Sequence, residues 1–418
     1  MLDLFPDTAA IDNGELTLGG IRATRLADEF GTPLVVYCED TIRHNAQAFR
    51  ASAPDVLVVY GTKAFANVAL LKLLADERIG ADVSTLGELA YAQRAGIRPD
   101  RIVFHGNNKS DGELSAAAQM SALVVLDAEE ELDRARAAGV ERALVRLRPG
   151  IAADTHASIA TAHAQSKFGV DADQALALIA AASKNDTPSV VGVHVHIGSQ
   201  LTRLDESLAA VDQLVHFCCR ARDELNWRPE IIDLGGGLGV RHSSADTVPT
   251  IREFASAVVG RFREHDTNDA QVILEPGRAL TGRAGVTLYR VGATKASADV
   301  HYVAIDGGMS DNPRPQLYGA RYEPLLANRA AEPATGVYRI AGKHCESGDV
   351  LVDGALLPQP RRGDVLAVPA TGAYTLAMSS TYNGVPRPAA VLVKGGNARL
   401  IRRRETVDDI LAFESDGE

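Results

Sequence analysis

Short runs of aliphatic and β-branched residues alternate with longer amphipathic stretches from about residue 55 to 278. The runs at 56–60, 80–83, 102–105, 123–127, 143–148, 190–196, 231–234 and 272–275 are mostly apolar, the pattern of strands covered on both faces. Between them, stretches such as 66–76, 86–96, 112–119 and 129–138 are rich in Ala, Leu and Glu and amphipathic at the helical period. Strand–helix alternation predicts a parallel sheet. Eight such units match an α/β fold of the (β/α)8 TIM-like barrel type, which takes about 250 residues. A doubly wound open sheet is the rival architecture.

The texture changes after residue 280, where short strand-like pieces at 286–291, 302–305, 337–340, 350–352, 365–368 and 390–394 are separated by Gly, Pro and Asp turns. That predicts a mainly antiparallel β domain, built from the C-terminal part and the strand-like N-terminal segment. The expected division is a barrel over residues 30–280, with 1–29 and 281–418 forming a β-sandwich or β-barrel-like domain.

Composition narrows the partners. The 418 residues carry a net charge of −11, and the one run of three basic residues is Arg402-Arg403-Arg404, so nothing resembles the basic stripe of a nucleic-acid binder. No apolar run approaches the ~18 residues of a membrane span, and the N-terminus has neither the basic nor the apolar region of a secretory signal. The four cysteines, Cys38, Cys218, Cys219 and Cys345, lack metal-finger spacing. The expectation is a cytoplasmic protein acting on a small molecule, with no nucleic acid and no membrane as partner.

Active residues of parallel barrels gather where strands end. That rule selects Lys63, Asp82, Arg148, His196 with Ser199, the glycines Gly235, Gly236 and Gly237, and Glu275. A lysine at a strand end either snorkels to water or, when desolvated, serves as a Schiff-base amine. Gly235-Gly236-Gly237 offers backbone N–H groups to a phosphate or makes a tight turn, and Val240 breaks any Rossmann reading. Glu275 either pairs with Arg278 or faces a pyridinium nitrogen. His194 and His196 share a strand face, but a metal is not expected from them. In the β domain, Cys345 sits among Lys343, His344 and Glu346, surroundings suited to proton transfer. Arg314, in the turn before Tyr318, offers a guanidinium suited to capturing a carboxylate.

Taken together with His105-Gly106-Asn107-Asn108-Lys109-Ser110, Ser166-Lys167-Phe168-Gly169, His196-Ile197-Gly198-Ser199-Gln200, Asp306-Gly307-Gly308-Met309-Ser310, Cys345-Glu346-Ser347-Gly348-Asp349 and Gly372-Ala373-Tyr374, these residues resemble the fold-type III pyridoxal-phosphate-dependent decarboxylases, the diaminopimelate decarboxylases most closely. The resemblance implies pyridoxal phosphate on Lys63, with Asp82 nearby, His196 stacked on the ring and Glu275 at the pyridine nitrogen. It implies a phosphate seat from Ser199, Gly235, Gly236, Gly237 and the Pro276-Gly277-Arg278 backbone, closed by Tyr374. Arg278, Arg314, Tyr318 and Tyr374 would hold substrate, Glu346 its distal amine, and Cys345 would be the proton donor, reaching the site from the other subunit of a homodimer with shared active sites. The implied reaction is decarboxylation of meso-2,6-diaminopimelate to L-lysine, the last step of lysine biosynthesis. Ornithine and arginine decarboxylases share the fold; Arg278, Arg314 and Tyr318 argue instead for a substrate with a second carboxylate. One departure follows the lysine, where Ala64-Phe65-Ala66-Asn67 stands in place of the Ala-Asn of many relatives.

Overall fold

A computed structural model describes residues 2–148, 166–182, 187–265, 270–415 and 417. The chain divides into two compact units, one over Asn45–Gly239 and Val248–Ala279, the other over Met1–His44, Val240–Thr247 and Leu280–Glu418. The second unit thus takes in more of the N-terminal segment than residues 1–29, and a short excursion out of the first unit as well.

In the first unit eight parallel strands close on themselves: β1 (Leu57–Gly61), β2 (Gly80–Val83), β3 (Ile102–Phe104), β4 (Leu123–Leu126), β5 (Arg142–Arg146), β6 (Ser189–His194), β7 (Ile231–Asp233) and β8 (Gln271–Leu274). Pairing of Ile273 with Leu57 and of Leu274 with Val58 joins β8 to β1, so the sheet is a barrel and not an open doubly wound sheet. Local chemistry starts the helices between strands. Asn67 caps Val68–Asp76 by accepting from the N–H groups of Ala69 and Leu70, Thr85 caps Leu86–Ala95, and Ser110 forms a reciprocal capping box with Glu113 at the head of Asp111–Gln119.

Side chains alternate along a strand, so every second residue faces the barrel interior. Val59, Val103, Val125, Leu144, Val191, Ile231 and Ile273 make an apolar layer there. Two residues further along, six of these chains carry Gly61, His105, Asp127, Arg146, Asp233 and Glu275. Asp82 lies beside Gly61 in the ladder, and His194 beside Arg146 and Asp233. The seven side chains are all buried. A complete change from apolar to ionisable within one layer is expensive unless the groups satisfy one another, and it places the chemistry at the C-terminal end of the strands.

The second unit is built on a nine-stranded sheet whose main path runs Val350–Leu357, Gly336–Ala341, Val300–Ile305, Gly285–Ser297, Leu34–Cys38, Ala389–Lys394, Asn397–Arg402. Val365–Val368 also pairs with Gly285–Ser297 and carries Leu325–Leu326 on its other side. The sheet is mainly antiparallel, but Val300–Ile305 runs parallel to Gly336–Ala341, and Leu34–Cys38 parallel to Ala389–Lys394. A three-stranded meander over Ala10–Asp12, Glu15–Leu18 and Ile21–Arg22 packs Leu16, Leu18 and Ile21 into the same apolar cluster as Leu34, Val36, Leu288 and Val391. Among the described residues no helix is long and apolar enough to cross a membrane.

Candidate active site

Strand β1 ends in one turn of 3-10 helix, Thr62–Ala64, which carries Lys63. The Thr62 hydroxyl donates to the Asp82 carbonyl at 2.6 Å and ties that turn to β2. Lys63 Nζ donates to Asp82 Oδ2 at 2.8 Å; the lysine side chain is 47% exposed and the carboxylate 1%. A buried anion therefore holds an accessible amine at the rim. The departure at 64–67 does not reshape that rim: Phe65 is spent as a buried side chain and Asn67 still caps the next helix. Glu88, from the helix Leu86–Ala95, accepts from the Ser84 N–H. Burial raises its carboxyl above the usual range, Asp82 adds to the rise, and Lys63 opposes it. Nothing in the sequence distinguishes Glu88 from an ordinary surface glutamate.

Glu275 continues β8, its N–H bonding to the Gly235 carbonyl at 2.7 Å. Its Oε1 lies 2.5 Å from His105 Nε2 and its Oε2 3.2 Å from His194 Nε2. The partner of this carboxylate is thus a pair of imidazoles and not Arg278, whose Nη2 donates instead to Ser199 Oγ at 3.2 Å. Burial drives the His194 pKa down to about 3, so that ring is neutral. Burial also works against an ionised Glu275, yet His105 and His194 outweigh it and hold the carboxyl well below its usual range. Neutral rings suffice, because each Nε2–H can donate to one carboxylate oxygen. His105, His194, Asp233 and Glu275 place donor atoms within 4.8 Å of one another, a span a metal could use. Both Glu275 oxygens, however, are already taken by imidazole nitrogens, and the group reads as a hydrogen-bonded cluster.

The glycines after β7 are required by packing. A Cβ on Gly235, at φ +65°, would fall 2.3 Å from the Val195 carbonyl, and one on Gly236 would fall 2.2 Å from the Glu275 carbonyl. The Gly236 N–H donates to His196 Nδ1 at 3.3 Å, which leaves the His196 proton on Nε2. Burial, then the charges of Lys63 and Arg146, hold His196 well below its ordinary pKa, so a neutral ring lies next to the loop. Its plane is within 9° of the His194 plane, centroids 6.5 Å apart. The Pro276 carbonyl accepts from the Gly61 N–H at 3.2 Å, so the Pro276-Gly277 corner lies against the turn of Lys63.

The inward arginine of β5 is Arg146, two residues before the Arg148 chosen from the sequence. Arg148 Nη1 reaches the carbonyls of Ser166 and Gly169, each at 3.3 Å. The Arg146 guanidinium lies 4.4 Å from the Phe168 ring centroid and 3.8 Å from Asp127 Oδ1, while Asp127 Oδ2 accepts from the Gly169 N–H at 3.0 Å. Behind them Lys109, with no exposed side-chain surface, donates to both Glu131 oxygens at 2.9 and 3.0 Å and to the Gly106 carbonyl at 2.7 Å. The two motifs over 105–110 and 166–169 therefore act as supports for the polar layer.

In the β unit Arg314 is buried, its Nη1 donating to His242 Nε2 at 2.7 Å and to Tyr322 Oη at 3.0 Å. Tyr318 Oη points at Met378 Sδ, 4.0 Å away. Cys345 and Glu346 are exposed within this unit. The Cys345 N–H donates to Asn383 Oδ1 at 3.0 Å, and Glu346 accepts from the Gly348 N–H and the Tyr382 hydroxyl at 3.4 and 3.5 Å. Asp349 staples their loop, accepting from the N–H groups of Met309 and His344 at 2.7 and 2.9 Å. Tyr374 adopts a left-handed φ of +57°.

Residues 39–282 match the family model described as pyridoxal-dependent decarboxylase, pyridoxal binding domain. A diaminopimelate decarboxylase of Halalkalibacterium halodurans is 39% identical, the alignment covering 98% of this chain and 98% of the relative. One of Mycobacterium bovis is 41% identical over 98% of this chain and 96% of the relative. The crystal structure of diaminopimelate decarboxylase from M. jannaschii in complex with L-lysine superposes with a TM-score of 0.91 at 33% identity, covering 97% of each chain.

Proposed function

This chain belongs to the pyridoxal-dependent diaminopimelate decarboxylases, and from that premise we propose that the polar layer and rim of its barrel are the seat of the cofactor and of the reaction. The protein is a carboxy-lyase that converts meso-diaminopimelate to L-lysine and CO2 with pyridoxal phosphate. The observation that carries the assignment of the site is the joint presence, at one barrel end, of an accessible amine on a buried carboxylate, an ionised glutamate between two imidazoles, and a bare glycine loop. That set of groups fits pyridoxal phosphate: an amine for its aldehyde, an acceptor for its ring N–H and a loop without side chains to admit its phosphate.

Lys63 would hold the cofactor, with Asp82 fixing the amine at the rim, and His196 would pack against its ring. Glu275 accepts from the ring nitrogen. Ser199, Gly235, Gly236, Gly237 and the Pro276-Gly277-Arg278 backbone would receive the phosphate, with Tyr374 as a further phosphate-binding residue. Bound there, pyridoxal phosphate supplies an electron sink for the pair left when the bond from Cα to the carboxylate breaks. Arg278, Arg314 and Tyr318 hold the substrate's carboxylate, Glu346 pairs with its distal ammonium, and Cys345 returns a proton to Cα. The test is an absorbance spectrum of the purified protein before and after adding meso-diaminopimelate, with lysine and CO2 assayed in the same sample. The expected result is a near-visible cofactor band that shifts as the two products accumulate in equal amounts. A band without lysine would overturn the substrate, and no band after reconstitution would overturn the Lys63 site.

We also infer a homodimer in which each site takes Lys63 from one subunit and Cys345 from the other; the exposure of Cys345 in its own unit supports this reading. Mixing inactive Lys63→Ala and Cys345→Ala proteins under conditions of subunit exchange should then restore about a quarter of wild-type activity, since half the dimers are hybrids with one intact site each. Persistent inactivity in a mixture proven to exchange would place both residues on one subunit. All four cysteines are free thiols, as suits the reducing cytoplasm we assign to the enzyme.

A further inference from the structure

Asp233 belongs to the polar layer but has none of the roles above. Its Oδ1 accepts from the Gly235 N–H at 2.9 Å. Its Oδ2 is buried and receives no N–H or O–H from any described residue. An oxygen of the Glu275 carboxyl lies within 4.8 Å of one of Asp233, and the two Glu275 oxygens already face His105 Nε2 at 2.5 Å and His194 Nε2 at 3.2 Å. Of two buried carboxyls this close, both being ionised is strongly disfavoured. Glu275 has two imidazole donors and Asp233 Oδ2 has none, so the shared proton belongs on Asp233. Burial and the charge of Glu275 push the Asp233 carboxyl well above its ordinary range, and Asp82 pushes the same way. The nearby cation, Arg146, is engaged with Asp127 and Phe168.

We propose that Asp233 is a neutral, proton-bearing acid that positions both ends of the cofactor seat, Glu275 through its O–H and the glycine loop through the Gly235 N–H. The inference rests on the reading of Glu275 as partner of the ring nitrogen. A single residue then couples the protonation of the ring to the geometry of the phosphate loop. Asparagine reproduces both contacts, its oxygen accepting from Gly235 and its amide N–H donating to Glu275; alanine reproduces neither.

The experiment reconstitutes wild type, D233A, D233N and E275Q with pyridoxal phosphate labelled at the ring nitrogen. The nitrogen chemical shift and the cofactor dissociation constant are then measured. D233N should match wild type in both. D233A should move the nitrogen toward the unprotonated pyridine position and weaken cofactor binding at least about ten-fold. D233N behaving as D233A would mean that a negative charge is needed at this position, and the proposal fails; so it does if D233A changes neither quantity. Should D233A not fold, D233N against wild type still decides between the neutral acid and the anion. E275Q with an unaltered ring nitrogen would instead overturn the reading of Glu275 on which the inference stands.

Discussion

Lys63→Ala is expected to lower kcat about ten-thousand-fold or more, with a far smaller change in thermal stability. In the proposed role the amine would both anchor the cofactor and move protons during turnover, so its loss would remove a covalent route together with an acid–base group. The stability loss is smaller than for a pair buried at both ends, because the lysine end is 47% exposed and water can enter the space it leaves beside the buried Asp82 carboxylate. Lys63→Arg, which keeps a charge beside Asp82 but is not a usable nucleophile, should be as inactive as the alanine variant. Added ethylamine should partly restore Lys63→Ala, because the missing function is a primary amine and the space it left is open. Near-wild-type turnover of Lys63→Ala in a cofactor-loaded sample would remove this residue from the mechanism.

The second large effect is on folding. Lys109→Met should destabilise the protein by about 3–5 kcal/mol, the usual consequence of breaking a buried ion pair from one side. Burial pulls the Lys109 pKa below the ordinary lysine value while Glu131 pulls it back, so the charged pair is a balance of two opposed effects. Removing the lysine leaves Glu131 buried with the Asp127 N–H, 2.8 Å from its Oε2, as its remaining donor in this group. Lys109→Met with Glu131→Gln should recover most of the loss, because the amide still accepts from Asp127 and no unpaired charge remains. Denaturant unfolding of the two variants and of Glu131→Gln closes the cycle. If the double variant is no more stable than Lys109→Met, the loss comes from packing of the lysine stem and not from the stranded carboxylate.

Much of this was legible along the chain. The eight apolar runs fall on the eight barrel strands, and the rule that active residues follow strand ends selected Lys63, Asp82, His196, the glycine loop and Glu275, all of which lie at that end of the barrel. Asp127, Asp233 and His105 carried a signal that the strand-end rule did not use: each stands two residues after an inward apolar residue, where the layer changes character. The strand-end rule points to Arg148 because an apolar run has no mark of its own for where pairing stops; the strand ends at Arg146. The Ser166-Lys167-Phe168-Gly169 motif was legible as a resemblance, but its packing under Arg146 was not.

What the sequence by itself determined is what depends on local spacing: the helical and strand periods, the caps at Asn67, Thr85 and Ser110, the change of texture after residue 280, and the ordered motifs that mark the family. Only the tertiary structure decided which ionisable groups share a proton or a charge. Glu275 could have paired with Arg278, three residues away; it pairs with His105 and His194, brought from β3 and β6. Those distances are set by barrel closure and strand stagger, properties of all eight strands at once. Electrostatic pairing follows distance in space, and no local pattern encodes it.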